Sequence, residues 1–118
     1  MSAIEINSFN LPDEVIDKFN NTKIEAVNVG GGGQRVQRFS LAPGWRWSKD
    51  VASKVGTDSC QATHLGVVVS GSVMVEHEDG TTGAYSAGDA YAGSPGHDAW
   101  VVGQENVVAF EFAGMWGE

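Results

Sequence analysis

Cys60 and His64 stand four residues apart in SCQATHLG, with Asp58 just before the cysteine and His97 further on in PGHDAW. Thiolate, imidazole and carboxylate are all competent metal ligands, and thiolate with imidazole favours zinc or iron over magnesium. The same pair supports a second chemistry, because an imidazole beside a thiol lowers its pKa and makes it a nucleophile. A third use is non-catalytic, with His64, His97 and Ser70 offering polar contacts to a small molecule in a pocket. The pocket is the leading expectation and a metal centre on Asp58, Cys60, His64 and His97 is its rival. The reactive thiol ranks below both, since a lone buried cysteine usually behaves as a small hydrophobe.

These residues need a scaffold to bring them together. In a strand, alternate residues share a face, so an inward His64 carries Gly66, Val68 and Ser70 with it. Cys60 and Ala62 join that face if the strand is regular, and the small residues at 62 and 66 leave space beside the imidazole. Leu65, Val67 and Val69 then face the other way, toward a second sheet or a partner subunit. Trp45 and Trp47 flank Arg46, so both rings share one face of an extended segment. They could stack a planar or sugar-like ligand at a barrel mouth, with Arg46, Lys49 or Lys54 meeting a carboxylate. Equally they could plug the barrel end or form a dimer contact.

Other polar and aromatic residues have plainer expected roles. His77, between Glu76 and Glu78, is expected as a solvated strand residue. Tyr85 and Tyr91 are expected in the core or an interface, and Glu111 on the outward face of an edge strand. Trp100 is expected to turn into the sheet-packing layer, and Trp116 to dock on the barrel or a second subunit.

The rest of the chain reads as β. Runs rich in Val and aromatics at 24–29, 34–41, 64–70, 72–77, 83–86, 98–102 and 106–112 are separated by Gly, Pro, Asp and Ser. Asp79-Gly80 is a hairpin turn signal. Many short strands point to a sandwich or small barrel. Residues 12–20, with acids in the first turn and Lys18 near the end, are expected to form a short helix that must pack on something larger. The glycine run at 30–33 lacks the Lys-Ser/Thr pair and the following helix of a phosphate loop, so it reads as a strand connection.

A chain of 118 residues suits one domain. The expected division is a packing segment at 1–37 and a barrel at 38–118. One cysteine allows no intrachain disulfide, which suits a reducing cytoplasm. The N-terminal segment has no basic and apolar regions of a secretory leader, and no apolar run is long enough to span a bilayer. The net charge of −8 is uneven. Through Lys54, seven bases against six acids leave +1; from Val55 onward, nine acids and no Lys or Arg leave −9. Nucleic acid and anionic membranes are therefore not expected partners.

From about Arg38 to Phe112 the sequence resembles the cupins, and in particular small single-domain bacterial ones. The family's first motif runs Gly-x5-His-x-His-x3-Glu-x6-Gly and its second Gly-x5-Pro-x-Gly-x2-His-x3-Asn. Aligned on Gly71, the first motif places its glutamate on His64, its histidines on Asp58 and Cys60, and its opening glycine on Ala52. In the second, Gly88 and Gly96 match, Ser94 replaces the proline with Pro95 following, Ala99 replaces the histidine and Gly103 the asparagine. The glycine framework is kept while all four metal-ligand positions carry other residues. The resemblance thus implies an all-β jelly-roll, the double-stranded β-helix barrel, with a short N-terminal helix added. It implies no particular reaction, since the same barrel hosts storage proteins, sensors, isomerases and dioxygenases. The combined expectation is a cytoplasmic homodimer that binds a small molecule in its barrel without the usual cupin metal site. The alternative is an oxygenase or isomerase-like enzyme with an atypical Asp/Cys/His site.

Overall fold

Alternation of small or polar with bulky residues sets the strands, and pairing sorts them into two sheets. The computed structural model describes residues 3–31 and 33–113. In chain order these form β1 (Glu14–Ile16), β2 (Thr22–Val29), β3 (Gln34–Leu41), α1 (Trp47–Asp50), α2 (Ala52–Val55), β4 (His64–Ser70), β5 (Ser72–His77), β6 (Thr82–Ser86), β7 (Ala90–Gly93), β8 (His97–Val102) and β9 (Val107–Ala113). One sheet runs β1-β2-β3-β9-β4-β7 and the other β6-β5-β8, and every pairing is antiparallel. The architecture is the all-β jelly-roll barrel implied by the glycine framework. Strand β3 runs through position 37, so one sheet draws on residues from both sides of it.

Two glycines show why the framework holds. Gly71 is the single residue between β4 in the large sheet and β5 in the small one. Its φ is +77°, and a Cβ there would lie 2.8 Å from the Asn106 carbonyl oxygen and Val107 Cγ2, so only glycine makes this turn without strain. Gly66 sits mid-strand, where a Cβ would lie 2.4 Å from the Phe110 carbonyl oxygen and 2.9 Å from Glu111 Cγ and the Tyr91 hydroxyl. Gly66→Ala is expected to lower stability by about 3 kcal/mol, the upper end of ordinary overpacking costs. Urea denaturation of the variant checks this, and a shift below about 1 kcal/mol would mean that β4 and β9 are not this close.

The expected helix at 12–20 is not formed. Residues 14–16 are instead an edge strand, with Glu14 opposite Ala26 and Ile16 opposite Ile24. A two-turn helix is marginal alone, whereas β-branched Val15 and Ile16 suit a strand, and pairing with β2 satisfies their backbone groups. The Asp13 N–H also donates to the Ala26 carbonyl, and the Asp13 carboxylate accepts the Asn28 N–H at 2.7 Å. Gly30 and Gly31, at φ +66° and +70°, follow β2 in its connection to β3.

Strand β7 and helices α1 and α2 have no counterpart among the expected elements. The sequence of β7, AYAG, lacks β-branched residues, and four-residue helices are too short to show a period. Helix α1 forms because carboxylates supply its end: Asp98 accepts the Ser48 N–H at 3.0 Å and buried Asp50 accepts the Arg46 N–H at 3.0 Å. That helix turns Trp47 inward beside Trp45, and both rings join Phe39, Ile24, Val51 and Val107 in the fully buried core. No helix among the described residues is long and apolar enough to cross a membrane.

Candidate metal centre and cavity

His64 opens β4 opposite Gly93 of β7, so no side chain from the neighbouring strand fills the space beside its ring. Cys60 lies outside any strand but is bridged to His97: its N–H donates to the His97 carbonyl at 2.7 Å, and its own carbonyl accepts the Gly96 N–H at 2.7 Å. This double clamp fixes the thiol against the start of β8. The three residues are buried, and their ligand atoms all lie within 4.8 Å of one another. Cys60 Sγ is 3.5 Å from His64 Nε2, and the two imidazole centroids are 5.0 Å apart.

Hydrogen bonds on the far side of each ring set which nitrogen faces the cluster. His64 Nδ1 lies 2.7 Å from Glu111 Oε1, and a carboxylate only accepts, so Nδ1 carries a proton. His97 Nδ1 likewise donates to the Ser94 carbonyl at 2.7 Å. Both Nε2 atoms are therefore the ones available to a metal, an orientation that protein metal sites commonly obtain from such outer partners. Glu111 is in turn held by the Tyr91 hydroxyl, which donates to Oε2 at 2.6 Å.

His64 and His97 of the cluster form the floor of a cavity of about 330 Å³, walled by His77, Tyr85, Tyr91, Ser94 and the β5–β6 hairpin. Tyr85 and Tyr91 stack with centroids 4.3 Å apart and planes 8° from parallel. Burial, and then the charge of Glu111, push both phenols above their ordinary pKa, so they stay protonated.

Charge is already coupled within the cluster. Burial alone would push the Cys60 thiol up, but hydrogen bonds with His64 and then His97 outweigh it and bring the pKa down to about 7. Burial alone would lower His64, but its bonds with Cys60 and then Glu111 raise it to about 9. Without metal, the pair is thus thiolate and imidazolium between these values. His64, being raised, stabilises the fold fully below its unfolded pKa, and that contribution is lost as pH climbs through about 9. Cys60, being lowered, contributes fully above the unfolded thiol value, and that contribution is lost as pH falls through about 7. Thiolate absorbance of the metal-free protein should therefore rise with a midpoint near 7 rather than about 8.5. His64→Ala should move the midpoint upward, and an unmoved midpoint would separate the two groups.

The other expected site residues lie elsewhere. Asp58 is exposed and outside the cluster, because the chain bends between it and Cys60 and strand alternation does not carry across. Ser70 sits at the opposite end of β4, donating to the Asn106 carbonyl at 3.0 Å. Trp45 and Trp47 are core residues behind the histidines and not at the cavity mouth. Arg46 is outside, 3.0 Å from Asp98 and stacked 4.4 Å above Trp100, so Trp100 serves the surface and not the sheet-packing layer. Lys49 donates to the Gly44 carbonyl and Lys54 to the Lys18 carbonyl, so neither meets a ligand in the cavity. Trp116 lies outside the described residues.

Four residues given plainer roles belong to the site. Glu111 is only 3% exposed on an internal strand, not outward on an edge. The parity of β9 is the reverse of that expected: Val107, Ala109 and Glu111 point inward while Phe112 is exposed. Ala109 is paired with Phe39 of β3 and Val68 of β4 in the sheet. Tyr85, Tyr91 and His77 line the cavity, with His77 Nε2 on the Pro95 carbonyl at 2.8 Å. The family's histidine position, Ala99, shares the inward face of β8 with His97.

No family model matches this chain, and no curated protein matches it. Solved structures do. The polyketide cyclase RemF from Streptomyces resistomycificus aligns over 98% of this chain and 80% of its own at 13% identity, with a TM-score of 0.62. KdgF from a Halomonas species aligns over 86% and 88% at 20% identity and 0.58. An oxalate decarboxylase from Lactobacillus farciminis aligns over 97% of this chain but 34% of its own, at 13% identity and 0.63. At such identities the likeness is one of fold, and the fold is cupin-like.

Proposed function

We propose that this protein binds a small organic molecule in its barrel cavity, above one transition-metal ion held by Cys60, His64 and His97. The observation that carries this is the convergence of three buried ligand atoms within 4.8 Å, two of them from histidines that line the cavity. The donor set suits zinc or iron, and three protein ligands leave a position for the bound molecule. A metal bound there would act as a Lewis acid toward an oxygen or nitrogen donor of that molecule. Glu111 keeps the His64 proton on Nδ1, Tyr91 keeps Glu111 in place, and the stacked tyrosines shield one side of the cavity from water. Oxalate, named for one structural neighbour, is not carried over, because no Lys or Arg lines this cavity. Elemental analysis of protein purified without a chelating tag tests the proposal. About one equivalent of zinc or iron per chain supports it; no metal after purification and after reloading would overturn it.

The expected homodimer would use the outer face of the large sheet. Leu65, Val69 and Phe112 are each about half exposed there beside Val67. Phe9 covers only the neighbouring Phe110, edge-on at 5.4 Å. Contiguous apolar surface of this kind is unusual on a monomer. Leu65→Lys with Val69→Asp should convert a dimer into a monomer by light scattering, with the thermal midpoint within a few degrees of the parent. An unchanged mass would assign the face to another role.

A further inference from the structure

The charges around the cavity point to the class of molecule it takes, given the metal-and-cavity reading above. Every Lys and Arg of the chain precedes Val55, whereas the cavity wall is drawn from His64 through His97. No ammonium or guanidinium therefore lines it. All three arginines are engaged away from the cavity, Arg35 with Glu14, Arg38 with Glu25 and Arg46 with Asp98. Apart from the histidines, Asp79 at the hairpin is the only ionisable acid or base of the Asp, Glu, Lys or Arg type among the described wall residues.

A bound divalent ion would balance the charges of this site. A divalent ion, the Cys60 thiolate and the Glu111 carboxylate sum to zero, and both oxygens of Glu111 are already taken by His64 and Tyr91. An anionic ligand on that ion would leave the site net negative with no Lys or Arg on the wall to offset it, and an uncompensated buried charge is strongly disfavoured. A neutral donor adds no such penalty. The rings of Tyr85 and Tyr91, stacked on one another, also line the cavity and give it aromatic surface that suits a planar aromatic partner.

We infer that the cavity selects an uncharged, planar molecule with a single nitrogen or oxygen donor, and discriminates against carboxylates and phosphates. Two probes isolate the charge: pyridine-3-carboxamide and pyridine-3-carboxylate share the ring and its nitrogen and differ by one negative charge. Each is titrated at pH 8 into cobalt(II)-loaded protein of measured metal content, followed by visible absorption and calorimetry, with inorganic phosphate as a third ligand. The amide is expected to bind at least about 10-fold more tightly than the carboxylate, and phosphate not to compete. Thr82→Lys, an exposed wall position that leaves the floor untouched, should narrow or invert that preference. Carboxylate binding equal to or tighter than amide binding, or no binding of either probe to loaded protein, overturns the inference while leaving the metal reading standing. If no metal loads, that reading fails by itself. Calorimetry on the metal-free protein then decides the charge preference, where a preference for the carboxylate again overturns it.

Discussion

Cys60→Ser protein is expected to lose zinc binding by more than about 100-fold, the upper end of what removal of a mere outer partner costs. The serine hydroxyl cannot replace a thiolate at neutral pH, so two imidazoles remain of a three-ligand set. Glu111→Gln should fall in the milder range of about 10–100-fold, because it leaves all three ligands and removes only the carboxylate that orients His64. The ordering of these two variants is the informative part. A site held by Cys60, His64 and His97 makes the cysteine worse to lose than the glutamate. A site in which the ion sat on Glu111 would reverse it. Asp58→Asn and Ser70→Ala serve as controls. Both residues stand away from the cluster, so zinc affinity measured by competition with a chelating dye should not move. If Asp58→Asn weakened binding as much as Cys60→Ser, the loop at 57–59 would have to carry a ligand, contrary to the exposed position of Asp58.

Trp45→Ala and Trp47→Ala are each expected to lower stability by about 3–5 kcal/mol, the cost of emptying a large buried aromatic site. Both rings are almost wholly buried, at 1% and 2% exposure, and both pack in the cluster that includes Phe39, Val51 and Cys60. A domain of this size holds about 5–15 kcal/mol in total, so either variant would be near the edge of folding at ordinary temperature. Guanidinium unfolding gives the size of the loss. Trp47→Phe is the companion variant, since it keeps most of the ring volume and should recover most of the stability. Tryptophans serving an open ligand site would behave differently, losing ligand affinity while unfolding at the parent midpoint. That outcome would sink the core assignment.

Much of the architecture was legible along the chain. Among the described residues, seven of the nine strands coincide with the Val- and aromatic-rich runs because local alternation and turn residues act over a few neighbours, the range that sequence patterning records. Gly71 and Gly96 were legible for the same reason: a positive φ is a local demand, and at +77° and +99° these positions exclude most other residues. The stretch 14–16 was not, since its acids and apolar spacing suit a short helix equally well, and only pairing with β2 chose the strand. Cys60, His64 and His97 could be singled out from their types.

Convergence is a different matter. That Cys60 meets His97 across a bridge, that Asp58 turns away, and that Glu111 points inward are consequences of register between segments distant in sequence. A shift of one residue in β9 would reverse which of Glu111 and Phe112 the interior receives. By itself the sequence determined a small, acidic, glycine-punctuated β-barrel whose second half carries no Lys or Arg. Only the tertiary structure decided which side chains share the barrel floor, because a site is a matter of distances between strands, and no local pattern contains those distances.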